Sequence, residues 1–528
     1  MNGRPGDEWA EECPGAHHTH PGGCGPANCG VMQHNRKSTV TGCRSSAGTG
    51  PPSYGAREDL TIRGTRTLAD PEPSNEHAGP HPALPPGDTD VVIVGGGLAG
   101  LAAAVTLRRA GVAACVLESA GRVGGRVMTL RAPFDDGLSA EAGGEFVDGV
   151  HAVLHAFLTT YSLPLLPIPN GRRLFLIDGT VRRGESLADL DPAAAGEDAR
   201  LEREAARLAA RIADPRRPWR DAPDLDDQSV GQWLDGLHLG RTARAYQQLW
   251  RTVDYGAAPE HLSLLQYARD ERLWKTGPEL PSGRVQGGMD RLPLAMAAEL
   301  GRRVVLNASV TAVRQDAATV TVNVTVDGTA TMVRARYGIL AVPPPALARI
   351  AFDPPLSEPQ RSAMVQLPMA RVTKVLLQVR RRFWEDHGGS SRAFTDGLVQ
   401  ATYETTAGQL GDRAILTVYT AGDIAAHLAG LSDDERRAAC LADLERLYPG
   451  CSGDVERVVT VAWDTAQPEG GAYSYFRPGD MQRLGPWLAE PVGRLHLAGE
   501  HTDQWQATMN GALASGVRAA GDILSALA

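Results

Sequence analysis

The sequence predicts an α/β fold built around a parallel sheet, and two short apolar runs with a helix between them carry the signal. Residues 91–94 form a buried-strand run that ends in glycines. Residues 98–110 have a helical pattern stopped by Gly111, and residues 113–117 form the second run. This order is a βαβ unit, whose two strands lie parallel in one sheet.

Later segments continue the α/β pattern through the rest of the chain. Residues 197–213 have the pattern of a charged amphipathic helix, and residues 511–527 are the last predicted helix. A Pro-rich turn that begins at Pro343 ends one of the predicted strands. The strand-like runs are 303–313, 320–326, 338–342, 372–379 and 414–420.

Length and composition limit the classes of protein. A chain of 528 residues is too long for one small domain, and its net charge of -9 argues against nucleic-acid binding, which needs clustered cations. The apolar run 91–107 contains four glycines and is short for a bilayer, and we see no secretory signal. Seven cysteines without a pairing pattern are typical of a reducing compartment. We therefore expect a cytoplasmic protein with no membrane segment and no nucleic-acid partner.

The segment 1–88 differs in composition from the rest of the chain. It is rich in Gly, Pro, Ser, Thr and His and has no sustained apolar period, so we expect a disordered extension. Four cysteines and several histidines lie in this segment, but the close Cys pairs of zinc sites are missing. The sequence therefore predicts no metal site.

The glycines that follow the first strand form a dinucleotide-binding fingerprint. Gly95, Gly97 and Gly100 have G-x-G-x-x-G spacing between a strand and a helix. Such glycines permit a tight turn, a close approach to a pyrophosphate and close packing of the helix on the strand. Glu118 ends the second strand, where a carboxylate can bind ribose hydroxyls. The predicted cofactor-binding residues of this segment are Gly95, Gly97, Leu98, Ala99, Gly100, Glu118 and Ser119.

Two arginines and two glycines that follow this segment favour FAD over NAD. Arg122 and Arg126 flank Gly124 and Gly125, and such a block can hold a pyrophosphate by charge and close approach. The alternative is a solvated basic loop. The R-x-G-G-R block resembles the second motif of the flavin amine oxidase superfamily, which includes monoamine oxidases, polyamine oxidases and L-amino acid oxidases.

Four later segments resemble the same superfamily in the same order, so the resemblance covers nearly everything after residue 88. They are residues 141–146, 285–293, 307–313 and 495–512. The resemblance implies that an acid in the last segment binds the ribityl chain and that the final helix directs its positive end at the flavin ring. The residues that it places on the flavin are Gly125, Arg126, Gly143, Gly144, Glu145, Val310, Trp463, Gly499, Glu500, Thr508 and Met509.

The resemblance also implies a domain organisation. We expect a Rossmann-like FAD-binding domain assembled from the discontinuous segments 89–168, 283–345 and 461–528. We expect an α+β substrate domain, with a mixed sheet and helices, from the largely helical segment 169–282 and from 346–460.

Lys374 is the first candidate catalytic residue. It lies within the apolar run 372–379, and a lysine in such a strand is rarely buried without a function. The alternative is an edge-strand lysine that points to solvent. Its spacing to Phe383 and Trp384 resembles that of the amine oxidase lysine, which implies that Lys374 holds a water against flavin N5.

Two aromatic residues complete the predicted catalytic set. Trp463 and the segment around Tyr473 resemble the tryptophan and the G-x-Y-S motif of the superfamily. The resemblance implies that Tyr473 flanks the substrate amine before the flavin face, where an aromatic ring can orient an amine. The alternative is that both rings belong to the core.

Two positions depart from the animal monoamine oxidases. Ala472 stands where those enzymes carry a cysteine bonded to the flavin, which implies non-covalent FAD. Thr508 stands where their second cage tyrosine lies, and Trp505 is a candidate to replace that ring.

The sequence points to more than one class of substrate. Tyr403 resembles a tyrosine that L-amino acid oxidases use on the substrate carboxylate, but Phe146 stands where those enzymes carry an arginine. Asp148 matches a position where some polyamine oxidases place a carboxylate, so that Asp148 and Glu145 could bind the second ammonium of a diamine. The alternative is that both are surface acids near a loop.

The resemblance implies an enzyme that oxidises a primary or secondary amine to an imine or aldehyde, with FAD as cofactor and O2 reduced to H2O2. The expected partners are a small amine and O2, and a homodimer is left open. Oxidation of L-amino acids is the first alternative. Desaturation or isomerisation of an apolar carbon skeleton is the second, and a protein that keeps the fold without turnover is the third.

Overall fold

The computed structural model describes residues 89–168, 172–464 and 468–528. The disorder and the absence of a metal site expected for residues 1–88 concern a segment outside the described residues. No helix in the described part of the chain is both long and apolar enough to cross a bilayer.

The described elements follow one another as strands, α-helices and short 3-10 helices. The strands are β1 (Thr89–Val94), β2 (Ala114–Leu117), β3 (Thr129–Leu130), β4 (Ala140–Glu141), β5 (Phe146–Val147), β6 (Leu165–Pro167), β7 (Arg173–Ile177), β8 (Thr180–Gly184), β9 (Gly283–Val285), β10 (Val304–Val305), β11 (Ala308–Gln315), β12 (Val320–Val326), β13 (Thr329–Leu340), β14 (Ala351–Asp353), β15 (Val372–Val379), β16 (Ala393–Thr395), β17 (Ala401–Glu404), β18 (Ala414–Ala421), β19 (Val455–Trp463) and β20 (Leu495–Leu497). The α-helices are α1 (Leu98–Arg109), α2 (Ala152–Thr160), α3 (Leu187–Leu190), α4 (Glu197–Ala210), α5 (Pro218–Asp221), α6 (Val230–Gly236), α7 (Arg241–Tyr255), α8 (Leu264–Thr276), α9 (Arg291–Leu300), α10 (Pro344–Leu347), α11 (Glu358–Gln366), α12 (Gly422–Gly430), α13 (Asp433–Leu447), α14 (Asp480–Leu488) and α15 (Met509–Leu527). The 3-10 helices are Pro192–Ala194, Pro223–Leu225, Pro259–His261, Gly301–Arg303, Phe383–Glu385, Cys451–Asp454 and Glu500–Thr502.

The first sheet is the parallel sheet that the βαβ unit predicts. Its order is β10-β2-β1-β13-β12-β11-β14, and β20 also pairs with β13. β10, β2, β1, β13 and β20 run parallel, while β12 is antiparallel to both β11 and β13. β1 is central and apolar, as a strand covered on both faces of a parallel sheet must be. The α/β fold class is confirmed.

The second sheet has the order β19-β15-β18-β17-β16-β7-β8. Every residue of β15 is buried, and β18 and β19 flank the strand on both sides. β7 and β16 are parallel, whereas the other neighbours are antiparallel, so this is the mixed sheet that was expected. Two elements differ from the expected division of the chain, because β14 belongs to the first sheet and β19 extends past residue 460.

The predicted run 303–313 contains a break with a clear physical cause. Asn307 has a φ of +53°, which turns the chain out of the extended conformation. The residues before Asn307 pair with β2, whereas those after it pair with β12. One apolar run therefore serves as two short strands with different neighbours.

The first and last described helices, α1 and α15, pack closely because a glycine lies at their contact. A Cβ on Gly516 of α15 would overlap the backbone oxygen of Ala99 in α1. Only hydrogen at this position allows the two backbones to approach so closely. The same helix contains Gly521, where a Cβ would meet no atom within 4 Å.

We expect Gly516→Ala to lower the free energy of unfolding by about 1–3 kcal/mol, because the added methyl forces α15 away from α1. Gly521→Ala is the matched control in the same helix, and it should raise the free energy of unfolding by roughly 0.5–1 kcal/mol. Urea unfolding of the two variants measures the difference. Equal stability of the two variants would show that the helices do not pack as described.

Candidate flavin and substrate site

The glycine turn between β1 and α1 leaves open space at one position. Gly95 has a φ of +106°, and a Cβ there would lie 2.7 Å from the backbone oxygen of Ala341. A Cβ on Gly100 would overlap the backbone oxygen of Gly95, which keeps α1 close to β1. Gly97 is the N-cap of α1, and a Cβ there would meet no atom within 4 Å. A helix N-terminus facing open space is suited to bind phosphate.

Glu118 lies beside this turn at the end of β2. Its Oε2 accepts a hydrogen bond from the backbone N–H of Gly96 at 2.6 Å, and its Oε1 accepts one from the N–H of Ala120 at 2.8 Å. Burial is the main cause that raises the pKa of this carboxyl, and the two backbone donors oppose it. Ser119 contacts the same carboxylate, with its Oγ 3.4 Å from Oε1. Two backbone N–H groups thus fix the Glu118 carboxylate beside the glycine turn.

Arg126 and Glu500 join segments that are 374 residues apart in sequence. Arg126 Nη1 lies 2.9 Å from Glu500 Oε1 and also donates a hydrogen bond to the backbone oxygen of Ala472 at 2.9 Å. Ser474 Oγ and the N–H of Ala507 donate to the other oxygen of Glu500, each at 2.8 Å. Burial raises the pKa of Glu500, but Arg126 and these donors outweigh it and hold the pKa below its usual value.

The expected flavin contacts of segment 141–146 lie against this junction. A Cβ on Gly143 would overlap the backbone oxygen of Arg126, and Gly144 donates its N–H to the same oxygen at 3.0 Å. Met509 Sδ would be 3.0 Å from a Cβ on Gly144. Thr508 caps α15 and accepts a hydrogen bond from the N–H of Gly511, so the positive end of this helix begins beside Gly144.

The other predicted cofactor residues lie near the glycine turn, before the 3-10 helix of Glu500 and in β11. Gly125 has a φ of +55°, and a Cβ there would lie 3.5 Å from Gly97 Cα. Leu98 and Ala99 begin α1, and Gly499 directly precedes the 3-10 helix of Glu500. Val310 lies in β11 where the pairing with β12 is irregular. Open space at Gly97, a fixed carboxylate at Glu118 and a second one at Glu500 fit a long dinucleotide such as FAD.

Lys374 is buried and points away from solvent. Its Nζ donates hydrogen bonds to the backbone oxygens of Glu141 at 3.0 Å and Gly143 at 2.9 Å, and it lies 3.1 Å from Glu145 Oε2. β15 is flanked on both sides, so the edge-strand alternative is wrong. Lys374 therefore connects the second sheet to the backbone of the segment expected to lie against the flavin.

Two hydroxyl groups donate hydrogen bonds to Glu145, and an arginine forms an ion pair with it. Tyr403 donates its hydroxyl to Oε2 at 2.8 Å, Thr405 donates its hydroxyl to Oε1 at 3.0 Å, and Arg284 Nε lies 3.1 Å from Oε1. Burial raises the pKa of Glu145, but Lys374 and Arg284 outweigh it, so the pKa lies below its ordinary value. The carboxylate is ionised and saturated with donors from this chain.

Arg284 is a site residue that the sequence reasoning missed. β5 and β9 are antiparallel, and Phe146 pairs directly with Arg284. The guanidinium lies over the Phe146 ring at 5.0 Å and over the Tyr403 ring at 5.5 Å. An arginine thus lies across the sheet from the position where one was expected in the sequence. A strand-pairing argument would have been needed to find it, because the two residues are far apart in sequence.

The predicted tyrosine of the cage has a partner from the second sheet. The hydroxyl oxygens of Tyr473 and Tyr419 are 3.0 Å apart, and Tyr473 also donates to the backbone oxygen of Asp254 at 3.3 Å. Tyr419 pairs with Lys374 across the sheet, so these two side chains project to the same face. Trp463 Nε1 donates a hydrogen bond to the backbone oxygen of Ala142 at 2.8 Å. This bond connects β19 to segment 141–146, which is expected to lie against the flavin.

Asp148 and Trp505 lie together at another part of the site. Asp148 is 1% exposed, and His151 Nδ1 is 3.7 Å from its Oδ2. The Trp505 ring is edge-on to His151 with centroids 5.2 Å apart. Asp148 is therefore a buried acid and not a surface one. Burial is the main cause that raises the pKa of nearby Asp254 well above its usual value, and Asp148 adds to this shift.

A nucleotide turn, two fixed carboxylates and a buried lysine beside a tyrosine pair define the class of a flavin-dependent oxidoreductase. The chain belongs to the flavin-containing amine oxidoreductase family, whose model matches residues 98–524. The expected family, the FAD cofactor and an activity on CH–NH groups are thereby confirmed.

The chain is similar to several known proteins along most of its length. It is 32% identical over 458 residues to the Mycobacterium tuberculosis protein AofH, whose name is that of a flavin-containing monoamine oxidase, with 84% of this chain and 98% of AofH covered. It is 27% identical over 465 residues to an L-amino acid dehydrogenase of Synechocystis, with 84% and 96% covered. Wild-type putrescine oxidase bound to putrescine superposes with a TM-score of 0.75 at 30% identity, with 83% and 99% covered.

We expect Gly97→Ala to weaken FAD binding roughly tenfold or more, because the new methyl fills the space that a pyrophosphate needs. Stability of the FAD-free protein should stay the same, since that methyl meets no protein atom. Gly430→Ala, which also adds a methyl in open space but far along the chain, is the control. Flavin fluorescence titration measures the dissociation constant, and an unchanged value in Gly97→Ala would contradict the assignment.

Proposed function

We propose that this protein is an FAD-dependent amine oxidase that converts a primary or secondary amine to an imine or aldehyde, with O2 reduced to H2O2. The observation that carries the proposal is the buried Lys374, whose ammonium is held by Glu145 beside the backbone of Gly143. FAD held by the turn at Gly97 and by Glu118 and Glu500 would supply the redox chemistry that links oxidation of the C–N bond to reduction of O2. A fixed cation at this position stabilises negative charge as oxygen is reduced.

The tyrosine pair orients the amine in this proposal. The Tyr473 ring is fixed by hydroxyl contacts to Tyr419 and to the backbone of Asp254. An aromatic face held in one orientation can position an amine for transfer. Only the neutral amine can release hydride, so the site must accept an uncharged nitrogen.

FAD is non-covalent in this proposal. Ala472 has no side-chain nucleophile to bond the flavin, and its backbone oxygen accepts from Arg126. Residue 472 therefore helps to hold Arg126 in place. A cytoplasmic location, supported by the cysteine usage of the sequence, completes the proposal.

Oxidation of L-amino acids is the second candidate, and one observation favours it. Arg284 lies across from Phe146 and over the Tyr403 ring, so a guanidinium is present near the residues expected to bind a carboxylate. Oxidation of a diamine would use Asp148 and Glu145 to bind the second ammonium. Glu145 already contacts Lys374, Arg284, Tyr403 and Thr405, so only Asp148 is left for that role. A panel of monoamines, diamines and L-amino acids, assayed for peroxide, decides among the three.

We expect Lys374→Met to slow reoxidation of the reduced flavin by O2 on the order of 100-fold, because a positive charge is lost where oxygen is reduced. Anaerobic reduction by an amine should change little. Stopped-flow absorbance separates the two steps. Lys275→Met, at the other lysine of the described residues, is the matched control, and equal reoxidation in both variants would remove the proposed role of Lys374.

We expect the rate of anaerobic flavin reduction to rise with pH along the ionisation of the substrate amine, because hydride leaves only the neutral amine. Two substrates whose amine pKa values differ should give profiles displaced by that difference. Profiles that coincide would show that a protein group, and not the substrate, controls the step.

A further inference from the structure

A glutamine and an arginine lie behind the acid that is expected to bind the ribityl chain. Ser474 Oγ donates a hydrogen bond to Glu500 Oε2 at 2.8 Å, and Gln506 Nε2 donates one to Ser474 Oγ at 2.7 Å. Arg269 Nη2 donates in turn to Gln506 Oε1 at 3.3 Å. The side chains of Arg269, Gln506, Ser474 and Glu500 therefore form one hydrogen-bonded chain, the Arg269 relay, which runs from α8 to the candidate flavin site.

The chemistry of arginine fixes the direction of every bond in the Arg269 relay. A guanidinium has donors only, so Gln506 must accept with its oxygen and turn its NH2 group towards Ser474. That NH2 group also only donates, so the Ser474 hydroxyl must accept there. The single proton of the hydroxyl is thereby directed at Glu500. The orientation of the amide and the direction of the hydroxyl thus both follow from Arg269.

Burial makes the direction of these bonds consequential. All four side chains of the Arg269 relay are buried, so bulk water does not compete for their donors and acceptors. Arg269 Nε donates to Asp270 Oδ1 at 2.8 Å, which fixes the guanidinium. Hydrogen bonds in a buried chain polarise one another, and a buried acceptor that loses its donor is costly. The position of one hydroxyl proton therefore has a larger effect on Glu500 than it would have at the surface.

The two oxygens of Glu500 are held by different kinds of group. Arg126 Nη1 lies 2.9 Å from Oε1, so this oxygen has a cation beside it. Within the described chain, the hydrogen bonds to Oε2 come from neutral donors, the Ser474 hydroxyl and the N–H of Ala507. His501 follows directly, and burial lowers the pKa of its imidazole to about 4, so the ring is neutral near neutral pH. The Arg269 relay therefore brings the polarising effect of a second cation to Oε2.

The backbone beside Gln506 has a conformation that is unfavourable for a residue with a Cβ. Ala507 has a φ of +65°, and in this conformation its N–H donates to Glu500 Oε2 at 2.8 Å. Gln506, directly before it, is anchored at both ends of its amide by Arg269 and Ser474. The same glutamine thus supports two of the donors that Glu500 receives.

We propose that Arg269 and Gln506 are positioning residues for the cofactor, which direct the Ser474 proton at Glu500 and keep its carboxylate ready to accept hydrogen bonds from the ribityl hydroxyls of FAD. The inference rests on the expected position of Glu500 at the ribityl chain and not on the proposed amine oxidase function. Arg269 lies in α8, within the segment expected to belong to the substrate domain. A residue of that domain therefore helps to hold the cofactor.

Release of FAD from the holoenzyme, followed by the rise in flavin fluorescence, tests the proposal. Gln506→Met keeps the length of the side chain and removes both of its hydrogen bonds. Gln506→Glu keeps a partner for Arg269, but it has acceptors only, so it draws the Ser474 proton away from Glu500 and adds a negative charge. We expect release to be roughly 3- to 10-fold faster in Gln506→Met and on the order of 100-fold faster in Gln506→Glu.

Two further variants serve as controls. Arg269→Lys keeps a charged donor and should release FAD nearly as slowly as the wild type, whereas Arg269→Met should resemble Gln506→Met. Gln315→Met is the matched glutamine control. The Gln315 amide also joins two segments, because it accepts from the N–H of Arg494 and donates to the backbone oxygen of Val492, but it contacts no member of the Arg269 relay. FAD release from Gln315→Met should equal that of the wild type.

The pH dependence of release separates a directed proton from a merely structural contact. Burial raises the pKa of Glu500 in the wild type, but Arg126 and the neighbouring donors outweigh it, so the carboxylate is ionised at about pH 6 as well as about pH 8. Loss of the Ser474 donor and the added negative charge in Gln506→Glu raise this pKa. We expect release from Gln506→Glu to accelerate as the pH falls over this range, while release from the wild type and Gln315→Met changes little.

Each other outcome decides as well. Slower release from Gln506→Glu than from Gln506→Met would show that residue 506 only fills space beside Arg269, and it would overturn the proposal. Release from Gln506→Glu that does not depend on pH, or that equals the wild-type rate while Gly97→Ala loses FAD, would overturn it too. A wild-type holoenzyme that oxidises no amine, yet shows the expected differences in FAD release, would leave the positioning role standing and overturn the amine oxidase function instead.

Discussion

The carboxylate of Glu145 is the interaction on which the site depends. It is buried, and it holds Lys374, Arg284, Tyr403 and Thr405, which come from three different stretches of the chain. Removing a single acid of this kind would leave two buried cations facing each other, which is more costly than the loss of one hydrogen bond. The second sheet is thereby anchored to the segment expected to lie against the flavin.

A second charge pair, Arg126 and Glu500, lies among the residues expected to bind the cofactor. Arg126 and Glu500 join two distant segments of the chain, and Ala472 and Ser474 also contact them. The two networks share no residue, yet both connect early and late parts of the sequence. Groups that are fixed before a ligand arrives need no rearrangement when charge develops, which is the condition for efficient electrostatic stabilisation.

Much of the fold could be predicted from the sequence because its elements are locally encoded. The runs 320–326 and 372–379 match their strands, since a continuous or alternating apolar pattern depends on the residues alone. The strand before Pro343 was predicted from residue 338 onwards, whereas β13 begins at Thr329, because its first half faces solvent and reads as polar. The break at Asn307 depends on which neighbours each half meets, and this is a tertiary property.

Some residues of the candidate site could likewise be predicted from the sequence, and others could not. Lys374, Tyr473 and the glycine turn are marked by unusual residues in short motifs, so the sequence reveals them. Arg284 lies in the short strand β9, where an arginine is usually taken for a solvent-facing residue. Only the pairing of β5 with β9 places Arg284 beside Phe146, and no local pattern encodes that pairing.

The contact between Arg126 and Glu500 also bears on the synthesis of the protein. A ribosome that adds 5–20 residues per second needs roughly 20 to 75 seconds to pass from one to the other. Through that interval the face of α1 that receives α15 has no partner, and the acid expected at the ribityl chain does not exist. FAD can therefore bind in its final position only late in synthesis. Until then, something other than α15 must cover this apolar face of α1 in the nascent chain.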